Sequence, residues 1–524
     1  MMVRHADAVN WTALGVFVAL FGFISWLGFA AARWRRGDLD QLHEWGLGGR
    51  RFGTLITWFL VGGDIYTAYT FIAVPALAFG AGAVAFFAVP YTIMIYPLLF
   101  LVFRRLWHVC HRHGYITAGD FVRGRFGTRW LALAVTVTGI VATMPYIALQ
   151  LVGIQVVIGA LGISGTGLAA DLPLLIAFMV LAAFTYSSGL RAPASIAVVK
   201  DILIYATALA AVIVIPAQLG GFAKIFAAVP PQKLLLAVPG AHTTGSYSGY
   251  ATLALGSAMA LFLYPHSLTA ILSASSGHAI RRNAAMLPGY SVMLGLLALM
   301  GFFVIASGVD KLPEYASGFE HFGNNFAVPA LLLHSFPSWF VGIAFAAIGI
   351  GALVPAAIMS IAAANLYTRN IHREFINKNP TDQQESQLAK RVSLIVKAGA
   401  LVFILFVPTQ YAIQLQLLGG IWIIQTLPPV MLGAYTRWFN SWALLAGWAA
   451  GTGAGTAMAF ATKLTTTFPL AVGGYTYPGY TAVYTVILNL AVAVLLTPVF
   501  NSMSANRTPA DETVAADYHD EVHR

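Results

Sequence analysis

The chain has 524 residues, of which 59% are hydrophobic and only 9% charged, and its mean hydropathy is +0.76. Soluble domains carry roughly 25% charged residues, so a soluble enzyme and a nucleic-acid-binding module are excluded and the lipid bilayer is the solvent for most of the surface. The single cysteine excludes an intramolecular disulfide and a cysteine-based metal site.

A spanning helix needs about 20 mostly apolar residues. In chain order the apolar runs predict thirteen, at 11–32, 52–80, 82–103, 130–160, 172–189, 201–219, 250–273, 286–308, 338–367, 392–408, 411–434, 441–462 and 479–500. Only Gly80-Ala81-Gly82 separates the second from the third. The first run is longer than a 7–15-residue signal core and its Arg cluster follows it, so an uncleaved helix is expected. The loop 220–249, rich in Ala, Pro and Gly, is expected to carry a short interfacial helix. The tail 501–524 is polar, acidic and almost free of aromatics, and is expected to be disordered.

The net charge of +10 follows from where the charges lie. With the N-terminus outside, 23 of the 29 Lys and Arg fall in inner segments and 5 in outer ones, with Lys397 inside a span near its inner end. This bias sets the N-terminus outside and the C-terminus in the cytoplasm. The run Trp107-His108-Val109-Cys110-His111-Arg112-His113 lacks any standard structural-zinc spacing and reads as a basic loop.

Among the 19 acidic residues, only Asp64 falls at the middle of a predicted span, and no Arg or Lys is expected at mid-membrane. A carboxylate at the bilayer centre costs about 2.5–3.5 kcal/mol on insertion scales and is by default functional. Its context, Gly62-Gly63-Asp64-Ile65-Tyr66-Thr67-Ala68-Tyr69-Thr70, weakens a helix and supplies hydroxyls. A discontinuous helix is expected there, with a merely kinked helix as the alternative. In span four, Tyr146 and Gln150 share a face, while Gln155 lies about 140° from Gln150. They line a cavity or bond to neighbouring helices. In span eleven, Gly419-Gly420 reads either as a second break or as close helix packing. Ser360, in the small-residue run of span nine, taken alone reads as a hydroxyl bonded to its own backbone.

Ala356-Ala357-Ile358-Met359-Ser360 resembles the core motif of the sodium:solute symporter family. Tyr186-Ser187-Ser188-Gly189-Leu190-Arg191-Ala192 is similar to the family's Gly-Gly-Leu-x-Ala stretch, and Pro265-His266 with Ser275 and Arg281-Arg282 to its loop after helix seven. Trp45-Gly46-Leu47-Gly48-Gly49-Arg50-Arg51, the 62–70 stretch and His113-Gly114-Tyr115 look most like the bacterial monocarboxylate permease branch. The resemblance implies an all-α, leucine-transporter-type fold of thirteen helices. It places an extra helix and inner loop at 1–51, inverted five-helix repeats at 52–219 and 220–434, two further helices at 435–500 and the tail beyond. It also implies a sodium site made of carbonyls on Gly63 and Tyr66, the carbonyl of Ala357 and hydroxyls at Ser360 and position 361. Ile361 has no hydroxyl, which puts sodium in doubt, since hard cations want several oxygens.

The function implied is cation-coupled import of short monocarboxylates such as lactate, pyruvate, acetate or propionate across a bacterial inner membrane. The coupling ion is Na+ or H+, with no other cofactor, and Asp64 either replaces the lost ligand or carries a proton. The substrate carboxylate is expected at half-helix N–H groups and the hydroxyls of Thr67 and Thr70, with Tyr66, Tyr69, Gln150 and Gln155 as further candidates. A carrier of another small solute, such as a neutral amino acid, and a non-transporting sensor are the competing readings. The expected partners are the solute and the bilayer, not nucleic acid, and the sequence leaves the oligomeric state open.

Overall fold

A computed structural model describes residues 9–33, 37–63, 66–163, 168–406, 412–503 and 511–519. The helices that carry the architecture are α1 (Trp11–Ala30), α2 (Thr54–Gly63), α3 (Val74–Ala81), α4 (Ala88–Leu98), α5 (Arg104–His113), α6 (Ala118–Phe126), α7 (Arg129–Ala160), α8 (Leu168–Ser188) and α9 (Arg191–Gln218). They continue with α10 (Ser246–Leu261), α11 (Pro265–Leu272), α12 (Pro288–Ser307), α13 (Ser338–Tyr367), α14 (Asp382–Phe406), α15 (Ala412–Ile423), α16 (Ser441–Ala461) and α17 (Thr481–Met503). Short helices Phe222–Ala228 and Pro231–Leu234 occupy the loop where one was expected.

Among the described residues, seven helical stretches are long and apolar enough to cross a membrane, or eight when the bent pair α10–α11 counts as one. The expected thirteen exceed this because several spans are not single straight helices. In span two the described helix runs to Gly63, Tyr66 and Thr67 lie in a bend, and a π-helical turn, Tyr69–Ala73, leads into α3. Gly82 (φ 74°) then turns the chain out of the helical region between spans two and three, a conformation that favours glycine. Span seven bends by 49° between Leu261 and Pro265.

The centre of the bundle is α13, 94% buried over its most apolar window. It packs on α1, α7, α9, α11 and α14. Lipid-facing apolar side chains sit at the periphery, for example Trp26 on α1 and Leu495 on α17. Glycines let helix backbones touch. A Cβ on Gly301 of α12 would stand 2.4 Å from the Pro75 carbonyl oxygen of α3, and one on Gly419 would stand 2.5 Å from the Ala142 carbonyl oxygen of α7. The Gly419-Gly420 pair is therefore close packing inside the continuous helix α15, not a break.

Three expectations are corrected. First, α9 begins at Arg191, ten residues before the predicted span, with Pro193 in its first turn, where a missing N–H costs nothing. Second, the fold is not purely α: β1 (Thr467–Val472) and β2 (Tyr475–Tyr480) form an antiparallel hairpin. Its two-residue loop, Gly473-Gly474, takes φ 59° and 78°, the left-handed pair that matches strand twist. Third, the tail is not disordered throughout. Residues 511–519 lie against α5, α6 and the segment after α15, with Asp517 and Tyr518 buried.

The segments predicted to share one side of the membrane meet at one end of the bundle. Glu44 is buried there between Arg51 and Arg191. Asp120 accepts from Asn370 at 2.8 Å, and Arg123 lies 3.4 Å from Glu374.

Candidate functional site

The helix break places the residues that matter. Tyr66 and Thr67 lie in a bend between α2 and the turn leading to α3, so backbone groups lose their helical partners. Two side chains replace them. Gln150 Oε1 of α7 accepts from the Ala68 N–H at 3.1 Å, and Thr67 Oγ1 accepts from the Tyr69 N–H at 3.0 Å. Such exchanges keep the break affordable, since a buried unmade hydrogen bond costs roughly 1–3 kcal/mol. Thr67, Tyr69 and Thr70 are all buried at the start of the second half-helix. The Tyr69 ring stands 6.5 Å from that of Tyr91.

One face of α7 joins this break to the second one. Four residues before Gln150, the Tyr146 ring packs 5.2 Å from Tyr264 and 5.2 Å from His266. Those two residues flank Pro265, the first residue of α11. The structure therefore joins Gln150 to Ala68 at the first break, while Tyr146 on the same face of α7 packs on the second. It does not bring Gln155 into this cluster by any hydrogen bond among the described residues.

The expected cation ligands are accounted for differently. Lys200 Nζ of α9, fully buried, donates to the Gly63 carbonyl at 2.6 Å and to the Tyr66 carbonyl at 3.2 Å. The same ammonium is 3.1 Å from Asp201 Oδ1, and Asp201 Oδ2 accepts from the Tyr290 hydroxyl at 2.6 Å. Tyr66 closes the circuit, its hydroxyl donating to the Tyr290 carbonyl at 2.9 Å while its ring lies 4.6 Å from that of Tyr290.

On α13 the Ser360 hydroxyl donates to the Ala357 carbonyl at 2.8 Å, the backbone bond foreseen for it. Ser393 Oγ lies 3.2 Å from Ser360 Oγ, and Lys397 Nζ donates to Ser393 at 2.7 Å. Asp64 lies outside the described residues.

Sequence reasoning missed two buried amines. Lys200 and Asp201 were placed at the rim of a span that in fact starts at Arg191. Lys397 was expected near a span end, within reach of water, yet it is 1% exposed because α14 begins at Asp382. Both amines are thus enclosed by the bundle and do not reach water at its rim. Pro193 and the Gly189 turn were the available signal for an earlier start of α9.

A small pocket lies on the side of the second break toward the basic end, lined in part by Thr117, Leu263, Pro265, Thr269, Ala362 and Thr426. It touches none of the residues around the first break.

The chain resembles known proteins along nearly all its length. A family model described as the sodium:solute symporter family matches residues 45–451. A monocarboxylate transport permease protein of Rhizobium johnstonii is 51% identical over 490 residues, which is 93% of this chain and 97% of that protein. An uncharacterised symporter of Bacillus subtilis, YodF, is 31% identical over 94% of each chain. The solved structure of a Na+-coupled sialic acid symporter in a substrate-bound outward-open state is 15% identical, with a TM-score of 0.72 over 93% of this chain and 98% of that one, so the fold is shared. With a family model spanning most of the chain and relatives that are permeases and symporters, this membrane transporter, not an enzyme, belongs to the sodium:solute symporter family.

Proposed function

We propose that the protein imports short monocarboxylates by alternating access, driven by an inward gradient of Na+ or H+. The observation that carries this reading is the 51% identity to a monocarboxylate transport permease over almost the whole of both chains. The chain is taken to cross a bacterial inner membrane thirteen times, N-terminus outside, so that the basic end with Glu44, Arg51 and Arg191 faces the cytoplasm. Its parts are read as the extra helix and loop to residue 51, repeats at 52–219 and 220–434, and two helices at 435–500.

The solute is assigned to the break between α2 and α3. The carboxylate would take over the Ala68 and Tyr69 N–H groups from Gln150 and Thr67, which now occupy them. A half-helix N-terminus favours an anion there. Thr70, Tyr66, Tyr69 and Gln155 complete the candidate lining, and Asp64 is the acid assigned to coupling.

The experiment is uptake of radiolabelled lactate by proteoliposomes, with sodium and pH gradients imposed separately. Unlabelled pyruvate, acetate and propionate should compete, and a neutral amino acid should not. Competition by the amino acid alone would replace the monocarboxylate reading.

A further inference from the structure

We propose that the Lys200 ammonium is the resident cation at the Gly63 and Tyr66 carbonyls, and that sodium is required neither for binding nor for transport. This rests on the reading of the chain as a cation-coupled carrier, but it departs from the ion that the family's name implies.

The residues present do not fit a sodium ion. The resemblance supplies five positions; one is missing and the other four already hold hydrogen bonds within the protein. Ile361 has no hydroxyl. The Ser360 hydroxyl is bonded to the Ala357 carbonyl. The Gly63 and Tyr66 carbonyls already accept from Lys200.

The amine is held as a bound cation would be. An ammonium offers three N–H donors and no acceptor. Lys200 Nζ meets three acceptors, Gly63 O at 2.6 Å, Tyr66 O at 3.2 Å and Asp201 Oδ1 at 3.1 Å. Its approach depends on the glycine, since a Cβ at position 63 would stand 2.7 Å from Nζ. Asp201 is fixed from its other oxygen by Tyr290, and Tyr290 by Tyr66. The result is a closed ring of contacts spanning α9, α12 and the break.

Charge counting points the same way. The groups facing Lys200 are Asp201 and Tyr205 from α9, Tyr66 from the break and Tyr290 from α12. Of the other helices packed on α9, α1, α2 and α13 carry no acidic, basic or histidine side chain; Asp171 of α8, and Asp64 next to Gly63, lie outside the described side chains. Arg33 is exposed, and Arg191, with Glu44, lies nine residues toward the start of the helix, about 13 Å away along its axis. The Lys200–Asp201 pair is neutral by itself. Sodium on the same carbonyls would share its oxygens with a fixed positive charge, where a low dielectric makes repulsion strongest.

The test uses the purified full-length protein. Thermal unfolding and lactate uptake are measured in sodium chloride and in choline chloride at equal pH. The wild type is expected to give the same unfolding temperature and the same uptake in both salts. Lys200→Ala opens a cation-sized space before two carbonyls and Asp201, so its unfolding temperature should rise with sodium. Lys200→Met fills that space with an apolar chain and should not respond. A several-fold stimulation of wild-type uptake by sodium, or a sodium-dependent rise in its unfolding temperature, overturns the inference. So does a folded Lys200→Ala protein that ignores sodium. If the Lys200 variants do not fold, the wild-type comparison decides alone. Wild-type indifference to sodium with no lactate uptake under any gradient refutes the monocarboxylate reading and leaves the cation assignment standing.

Discussion

Arg125 Nη1 donates to Asp511 Oδ2 at 2.6 Å, joining α6 to a tail that is 386 residues away in sequence. The same guanidinium donates to the Gly433 carbonyl at 3.0 Å and the Thr436 carbonyl at 2.8 Å, after α15. Arg125 is buried and Asp511 partly so, which shields the pair from water more than a surface ion pair is shielded. The tail extends it: Tyr115 donates to Glu512, and Arg112 and His113 contact Asp517.

Asp511→Ala should therefore loosen the tail without unfolding the bundle. Removing one partner of a buried charge pair costs about 3–5 kcal/mol, but here Arg125 keeps two carbonyl acceptors, so about 1–3 kcal/mol is expected. Limited proteolysis should cut the tail of the variant faster than that of the wild type. Burial raises the Asp517 carboxyl, but hydrogen bonds from His113, the Val514 N–H and Arg112 outweigh it and hold the group below its ordinary range. A depressed carboxylate stabilises the docked tail above its undocked pKa and loses that contribution as pH falls through the docked value. Tail release on acidification should thus begin below about pH 4, and Asp517→Asn should remove that pH dependence.

Gln150→Glu should abolish lactate uptake. The variant puts a carboxylate where Gln150 Oε1 now accepts from Ala68, so a substrate anion meets a like charge at the N–H group assigned to it. Thr67→Val and Thr70→Val should weaken lactate binding about tenfold each, the loss of one hydrogen bond of about 1.4 kcal/mol. Binding isotherms for lactate check both, and unchanged affinity in all three variants would move the substrate away from this break.

Asp64→Asn should eliminate concentrative uptake while sparing exchange of labelled for unlabelled lactate across the membrane. Counterflow and gradient-driven accumulation, measured side by side, separate the two. Full accumulation by the variant would remove Asp64 from coupling.

Orientation is checked with introduced cysteines. Cys110 is buried and should label poorly in the folded protein, so it contributes little background. Val238→Cys should react with an impermeant thiol reagent on intact cells, whereas Lys378→Cys should react only after the cells are opened; both positions are exposed. The reverse pattern would invert the topology.

Glu44→Gln should destabilise the basic end. Glu44 and Arg191 are 4% and 1% exposed, and Arg51 bonds to the same carboxylate. Breaking such a pair from one side costs about 3–5 kcal/mol, which a shift in thermal unfolding would show. Replacing Glu44 and Arg191 together with apolar residues should cost less than the single change.

The first break was legible because Gly62-Gly63 precedes an acid inside an apolar run, a local conflict with helix propensity. The second was not, since Phe262-Leu263-Tyr264 is as apolar as its surroundings and only Pro265, opening α11, marks it. The hairpin lies almost wholly in the loop between two predicted spans, where hydropathy carries no signal for it, although Gly473-Gly474 between alternating residues is a turn signal. Lys200 was lost for a different reason. Hydropathy ends a span at a charged pair, whereas the partners that make burial tolerable, Gly63 and Tyr66, lie 137 and 134 residues away. The face shared by Tyr146 and Gln150 was readable from helical period alone, but which breaks it would touch was not, because that depends on how α7 crosses the bundle.

The contact of Gly301 with the backbone of α3 fastens the second half of the first broken helix to α12. At this point a carbonyl and an amide of α3, with only the Ala78 methyl beside them, come up against the bare Cα of α12. Sliding the half-helix that follows the break along α12 would therefore drag backbone over backbone. The half before it, α2, is tied across the break through the Lys200 ammonium and Tyr66. Gly301→Ala, whose Cβ would stand 2.4 Å from the Pro75 carbonyl oxygen, should force α3 outward and strain those same hydrogen bonds.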